Sequence, residues 1–267
     1  MTSLFYFSYT GSKRSEMKHI MPFIKDLKYD KVIEPFAGSC AFSLHLYIKE
    51  NKKVKYILND NDHTHIEFLK YVQKNTSKPL VEFLINETKN NSKENFKMHI
   101  EEYKTNPNIF NYYYYHKHYN FRCGLYPMPE LKRRQNYEGL SYPKTDEFFK
   151  NATIIEGDYK NILEKYKNDT KALIFLDPPY FSSSNSDYAS FKKDKKKKAF
   201  EKGVIKDMTG YYVQCIEYLK TCKCKVLMIL NSNELMDYIF KDYIKKKYKK
   251  QYSMTKKDAE HILITNF

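Results

Sequence analysis

The chain has 267 residues, 42% hydrophobic and 30% charged, with a formal net charge of +15 and a pI near 9.3. That length buries a sizeable core in one α/β domain with an insertion, or in two small domains, without help from a disulfide or a metal. Five cysteines (Cys40, Cys123, Cys215, Cys222, Cys224) without paired zinc-finger spacing read as reduced thiols, and no signal-like start or run of roughly 18 apolar residues is present, so an intracellular, soluble, metal-free protein is expected.

In chain order, Met17, Ile20, Met21, Ile24 and Leu27 recur at helical spacing. Val32-Ile33 reads as the first strand. It runs into Glu34-Pro35-Phe36-Ala37-Gly38-Ser39-Cys40, and Phe42, Leu44, Leu46, Tyr47 and Ile48 then support a helix. Glycine is scarce, seven in all, so Gly38 in this strand-to-helix turn marks a place where a ligand approaches the backbone closely. Tyr56-Ile57-Leu58 reads as the second strand and ends in Asn59-Asp60-Asn61-Asp62. Asp60 lies 22 residues beyond Gly38, the spacing at which nucleotide-binding α/β units set an acid on ribose hydroxyls. One glycine in place of three offers no pyrophosphate cradle. A cofactor with adenosine but no phosphates, such as S-adenosylmethionine, therefore fits better than a dinucleotide, although a lone Gly turn and a capping Asp are each common.

From about residue 63 to 150 the pattern is helical and rich in Tyr, Asn and Lys, without a buried strand, and too long for one crossover. It reads as an inserted helical subdomain holding Tyr112-Tyr113-Tyr114-Tyr115 and a polar stretch, 127–143, with Lys132, Arg133 and Arg134. His63-Thr64-His65 and His116-Lys117-His118 hint at a metal, but no carboxylate or cysteine pattern completes a site, so they read as solvated or packing histidines. Four further runs, 153–155, 172–176, 226–230 and 261–265, look like strands, making six in βαβ alternation and hence a Rossmann-like, mostly parallel sheet.

Asp177-Pro178-Pro179-Tyr180 follows the uncharged run 172–176, at a strand's carboxyl end where open α/β sheets bind ligands. Two prolines fix the backbone and remove two N–H donors, which leaves carbonyl acceptors. Asp177 and the Pro178 carbonyl suit the two hydrogens of a planar amine, with Tyr180 stacking on its ring, a description of a nucleobase amine. The bland reading is a proline-rich loop with a capping Asp. The net positive charge points to a polyanion, nucleic acid above all. Its 43 lysines against four arginines also fit an AT-rich genome, and the lysine runs 192–198 and 245–250 read as solvated faces that touch phosphates.

Taken in this order, the pieces resemble the Dam-like (D12 class, DPPY) DNA adenine-N6 methyltransferases. Tyr9-Thr10-Gly11-Ser12-Lys13 resembles the family's amino-terminal aromatic-x-Gly-x-Lys element, and residues 34–39 its first methyltransferase motif. Asn59-Asp60 is similar to the ribose-binding motif, Asp158-Tyr159 to the pair beside the cofactor adenine, 177–180 to the DPPY element and 260–266 to the closing strand. The resemblance implies a class I methyltransferase sheet and transfer of a methyl group from S-adenosylmethionine to a flipped-out adenine of double-stranded DNA. It also implies cofactor contacts from Tyr9, Lys13, Pro35, Phe36, Ala37, Gly38, Asp60, Asp158, Tyr159 and Asp177. Residues 1–62 and 151–267 would form the catalytic domain, and 63–150 the target-recognition domain, in a monomer or weak dimer.

The chain departs from the pattern of GATC-methylating members in the insertion, where only Tyr119-Asn120-Phe121-Arg122 and Gly124 align loosely. Arg122, Arg133 and Arg134 are candidate guanine readers, or phosphate clamps and partners of Glu130 and Glu138. A cytosine-N4 enzyme would do the same chemistry. A protein-glutamine methyltransferase would begin its tetrapeptide with Asn, and a non-enzymatic nucleic-acid-binding module would not need the cofactor motifs.

Overall fold

The computed structural model describes residues 5–6, 12–89, 93–106, 108–119, 137–178, 209–251 and 258–267. Tyr9, Pro179, Tyr180, Arg122, Arg133, Arg134 and the lysine run 192–198 lie outside the described residues.

Seven strands form one sheet: β1 (Lys31–Glu34), β2 (Lys55–Asp60), β3 (Thr153–Glu156), β4 (Ala172–Leu176), β5 (Lys225–Asn231), β6 (Ile244–Gln251) and β7 (Asp258–Thr265), in the order β3-β2-β1-β4-β5-β7-β6. The first five pair in parallel, and β7 runs antiparallel to both β5 and β6. The expected Rossmann-like, mostly parallel class I methyltransferase sheet is therefore the fold. From β1 the chain winds outward through β2 and β3 on one side, then returns to β4 and β5 on the other. That reversal opens a crevice at the carboxyl ends of β1 and β4.

All five residues of β4 are buried, as a strand covered on both faces requires. The pleat sends alternate side chains to opposite faces. Val32, Leu58, Leu173, Phe175, Leu227 and Leu263 join one core cluster, while Ile33, Ile57, Ile174, Leu176, Met228 and Ile262 join another. The first cluster is closed by α1 (Met17–Ile24), α2 (Ala41–Ile48), α3 (His63–Asn75), α4 (Lys78–Lys89), α5 (Lys93–Thr105), α6 (Ile109–Tyr114) and α7 (Pro143–Asn151). The second is closed by α8 (Tyr159–Tyr166), α9 (Thr209–Thr221) and α10 (Glu234–Ile239). None of the described helices is long and apolar enough to cross a membrane.

Helices carry most of the described part of 63–150, and they share the first cluster with the sheet. The four tyrosines 112–115 are buried there. Phe68 lies 5.4 Å from Tyr112 and 6.1 Å from Tyr113, centroid to centroid. The tyrosine run is thus packing material, which its lack of helical polarity did not reveal.

The lysine run 245–250 is corrected by the structure: six strands were expected and it supplies the seventh, β6, on the sheet edge. Lys245, Lys247 and Lys249 face solvent while Tyr248 between them is buried, a period of two that a run of one residue type hides. Lysines on an edge strand also oppose pairing with another chain.

Candidate active site

The turn after β1 is held from below by the end of β2. The Ala37 N–H donates to the Asn59 carbonyl at 2.8 Å, and the Gly38 N–H donates to Asp60 Oδ2 at 2.9 Å. Gly38 sits at φ 44°, in the left-handed region where a Cβ is strained, and Cys40 follows at φ 53°. Asn59, fully buried, donates from Nδ2 to the carbonyls of Pro35 (2.9 Å) and Gly157 (3.0 Å), tying the turns after β1 and β3 together. The spacing of Gly38 and Asp60 read from the sequence therefore corresponds to a direct contact.

His65, which reads as a packing or solvated residue, closes the other side of the turn. It is 2% exposed. Its Nε2 donates to the Gly38 carbonyl at 2.6 Å, and its Nδ1 lies 3.0 Å from the Tyr112 hydroxyl, so helix α6 reaches the glycine turn through one side chain. His116 is also buried, and burial pushes its pKa down to about 3, so it packs as neutral imidazole.

Across the crevice, Asp177 leaves the end of β4. Lys13, 164 residues away in sequence, places its ammonium 2.6 Å from Asp177 Oδ1 and 2.7 Å from Oδ2. Lys13 is almost wholly buried and the Asp177 side chain 22% exposed, so the carboxylate keeps an open side. Burial pushes the Asp177 carboxyl up from its ordinary range, against the pull of Lys13. Glu34, at the end of β1, is the third member. Burial raises it to about 8, although the Ser43 N–H donates to its Oε1 at 2.9 Å. Glu16 is the fourth, 1% exposed and bonded to Tyr248, Lys250 and His261.

None of Glu16, Tyr248, Lys250 and His261 was singled out from sequence. The signal was there for two of them. Glu16 falls four residues before Ile20 and eight before Ile24, on the stripe that faces the core, and His261 interrupts an apolar strand.

At the third strand end, Phe36 and Tyr159 place their ring centroids 4.7 Å apart, and the Tyr159 hydroxyl donates to Gln214 at 2.5 Å. Asp158 is exposed and caps α8 by accepting from the Lys160 N–H at 2.9 Å. His63, Glu67 and Glu156 bring potential metal-ligand atoms within 4.8 Å of one another, a grouping invisible in the chain spacing. His63 already pairs with Glu156 at 3.0 Å, and Glu67 with Lys70 at 3.0 Å.

The family of D12 class N6 adenine-specific DNA methyltransferases matches residues 9–255, a span that includes the glycine turn, helices α3 to α7 and Asp177. This chain belongs to that family. A stretch of 118 residues of this D12 class member, 44% of its length, is 28% identical to the type II methyltransferase M.CviBI of Paramecium bursaria Chlorella virus NC1A. The likeness covers 39% of that relative.

Proposed function

We propose that this protein transfers a methyl group from S-adenosylmethionine to the N6 amine of an adenine flipped out of double-stranded DNA. Membership of the adenine-N6 family supports the reaction class. The observation that carries the reading is the shared crevice: a carboxylate held by Lys13 on one side, and a one-glycine turn bonded to Asp60 on the other. The donor set suits such a cofactor. Asp60 is an acceptor for ribose hydroxyls and the half-buried Phe36 an apolar face, while nothing among the described residues resembles a phosphate cradle. When bound, S-adenosylmethionine supplies an electrophilic methyl group on positively charged sulfur. Tyr9, Pro35, Ala37, Asp158 and Tyr159 complete the proposed cofactor contacts.

The adenine amine is a weak nucleophile because its lone pair is spread into the ring. Asp177 and the Pro178 carbonyl accept its two hydrogens and so localise that pair, while Pro179 stiffens the loop and Tyr180 stacks on the base. Lys13 fixes the carboxylate in place, and positioning of this kind supplies much of the rate. Arg122, Arg133 and Arg134 in the insertion read bases, and the lysine runs attract phosphates. Likeness to the viral type II methyltransferase supports a modification role of the type II kind, carried out where the target DNA resides.

Incubating the protein with S-adenosylmethionine and unmethylated duplex, then digesting to nucleosides, should yield N6-methyladenine. N4-methylcytosine would make it a cytosine enzyme, and no methylated base would refute the reading. Asp177→Ala should slow the reaction by about 100- to 1,000-fold, the scale of one lost preorganised polar group, with a far smaller change in cofactor affinity.

A further inference from the structure

Lys13 and Glu16 open and close a single 3-10 turn (Lys13–Glu16), and residues three apart in such a turn lie on the same face. Both are buried. Lys13 turns toward Asp177; Glu16 is grasped by the far edge of the sheet. Tyr248 of β6 donates its hydroxyl to Glu16 Oε2 at 2.6 Å, His261 of β7 places Nδ1 2.7 Å from the same oxygen, and Lys250 of β6 pairs with Oε1. Tyr248 and His261 are direct cross-strand partners, so one carboxylate oxygen reads two adjacent strands at once. His19 stacks on the outer face of Tyr248 at 4.1 Å. Burial pushes the Glu16 carboxyl up, but the His261 hydrogen bond and the Lys13 and Lys250 ammonium groups outweigh it and hold Glu16 ionised.

A cluster of this kind is a costly way to join a hairpin to a helix, because apolar residues of similar volume do that at least as well. What apolar residues cannot do is orient an ammonium. Lys13 is a flexible side chain whose charge acts on Glu34 as well as on Asp177. Glu16, three residues on along the same face and equally buried, brings a second carboxylate to bear on that ammonium, and this carboxylate is itself held by a ladder of strands.

We propose that Glu16 is a positioning residue for the Asp177 carboxylate, acting through Lys13, and that the β6–β7 hairpin holds Glu16 in place through Tyr248, Lys250 and His261. This rests on the methyl-transfer reading of Asp177. The hairpin thereby becomes part of the active site's support.

The test uses the full chain. Glu16→Gln keeps the volume and an acceptor for Tyr248 while removing the charge. Single-turnover methylation should fall by about tenfold or more, because displacements of an ångström or less at a reacting centre have effects of that size, while affinities for cofactor and duplex stay within about twofold. In an Asp177→Asn background the same substitution should change the residual rate by less than about twofold, since there is no carboxylate left to position. Tyr248→Phe, which keeps the packing and removes one hydrogen bond to Glu16, should show the same pattern at smaller size if Glu16→Gln does not fold. A well-folded Glu16→Gln protein with the native rate overturns the proposal, and so does equal slowing in both backgrounds, which is what a merely structural role gives. Should the native protein methylate nothing, the methyl-transfer reading fails separately. The positioning claim is then read from thermal unfolding, where the shifts caused by Glu16→Gln and Asp177→Asn must be non-additive and additivity overturns it.

Discussion

Substitution of Lys13 by Met preserves most of the side-chain length and removes the ammonium that lies 2.6 and 2.7 Å from the two oxygens of Asp177. The carboxylate is then left in a largely buried site without its counter-ion. Removing one partner of a fully buried pair costs about 3–5 kcal/mol, and the 22% exposure of the Asp177 side chain puts the expected loss at the lower end, about 3 kcal/mol near neutral pH. For a chain of this size each kcal/mol moves the melting temperature by about 2–4 °C, so Tm should drop by roughly 6–12 °C. The pH dependence carries a definite sign. Burial already raises the Asp177 carboxyl, and Lys13 is the largest opposing influence, so its loss raises the folded-state pKa further. Lys13 also lowers the carboxyls of Glu16 and Glu34, which shift upward with it. A carboxyl raised on folding lends stability that is complete below its unfolded value and is lost as pH climbs through the folded one. The deficit of the Lys13→Met protein relative to native should therefore be small near about pH 4 and widen steadily toward neutrality. Circular dichroism melts of both proteins across a pH series measure it. A deficit that is the same at every pH, or none at all, refutes the ion pair as the element that holds Asp177.

Glu34 is raised to about 8 by burial, so its contribution declines as pH rises from the ordinary carboxylate range through 8, and Glu34→Gln should flatten that part of the native Tm-versus-pH curve; an unchanged slope would mean the carboxyl is ionised in the fold. Asp60→Ala loses a charge-assisted acceptor of about 1.5–3 kcal/mol and should weaken S-adenosylmethionine binding by about tenfold or more, which calorimetry measures; undiminished affinity would remove Asp60 from the cofactor site. Substituting Arg122, Arg133 or Arg134 by Ala should cost about 1–3 kcal/mol on the preferred duplex and relax one base position if that residue is a reader, whereas neutralising residues 192–198 should weaken all DNA alike and flatten the salt dependence by up to about one unit per lost phosphate contact. Loss of sequence preference in the lysine variant alone, with all three arginine variants unaffected, would place recognition outside the insertion.

Much of the architecture was legible because its causes are local. Apolar runs such as 172–176 announce strands, helical spacing after Val32-Ile33 and the alternation of the two announce a parallel sheet, and Gly38 and Asp60 sit at ends whose adjacency follows from β1 pairing with β2. The place of Asp177 was legible for the same reason, since it follows directly on the buried strand β4. The tertiary structure decided what depends on distant pairs. Lys13 meets Asp177 across 164 residues, and Glu16 meets His261 across 245, contacts for which no window of sequence carries a signal. β6 was hidden because lysine at five of its eight positions blurs the polar–apolar contrast that marks a strand, and only pairing with β7 gives it a face. His65 was hidden because one imidazole on a helix looks alike whether it meets water or the carbonyl of a glycine turn. Patterns within a few residues are dictated by backbone geometry and solvent, whereas the partner of a buried charge is chosen by the packing that removes water from both, and that packing exists only once the sheet has closed.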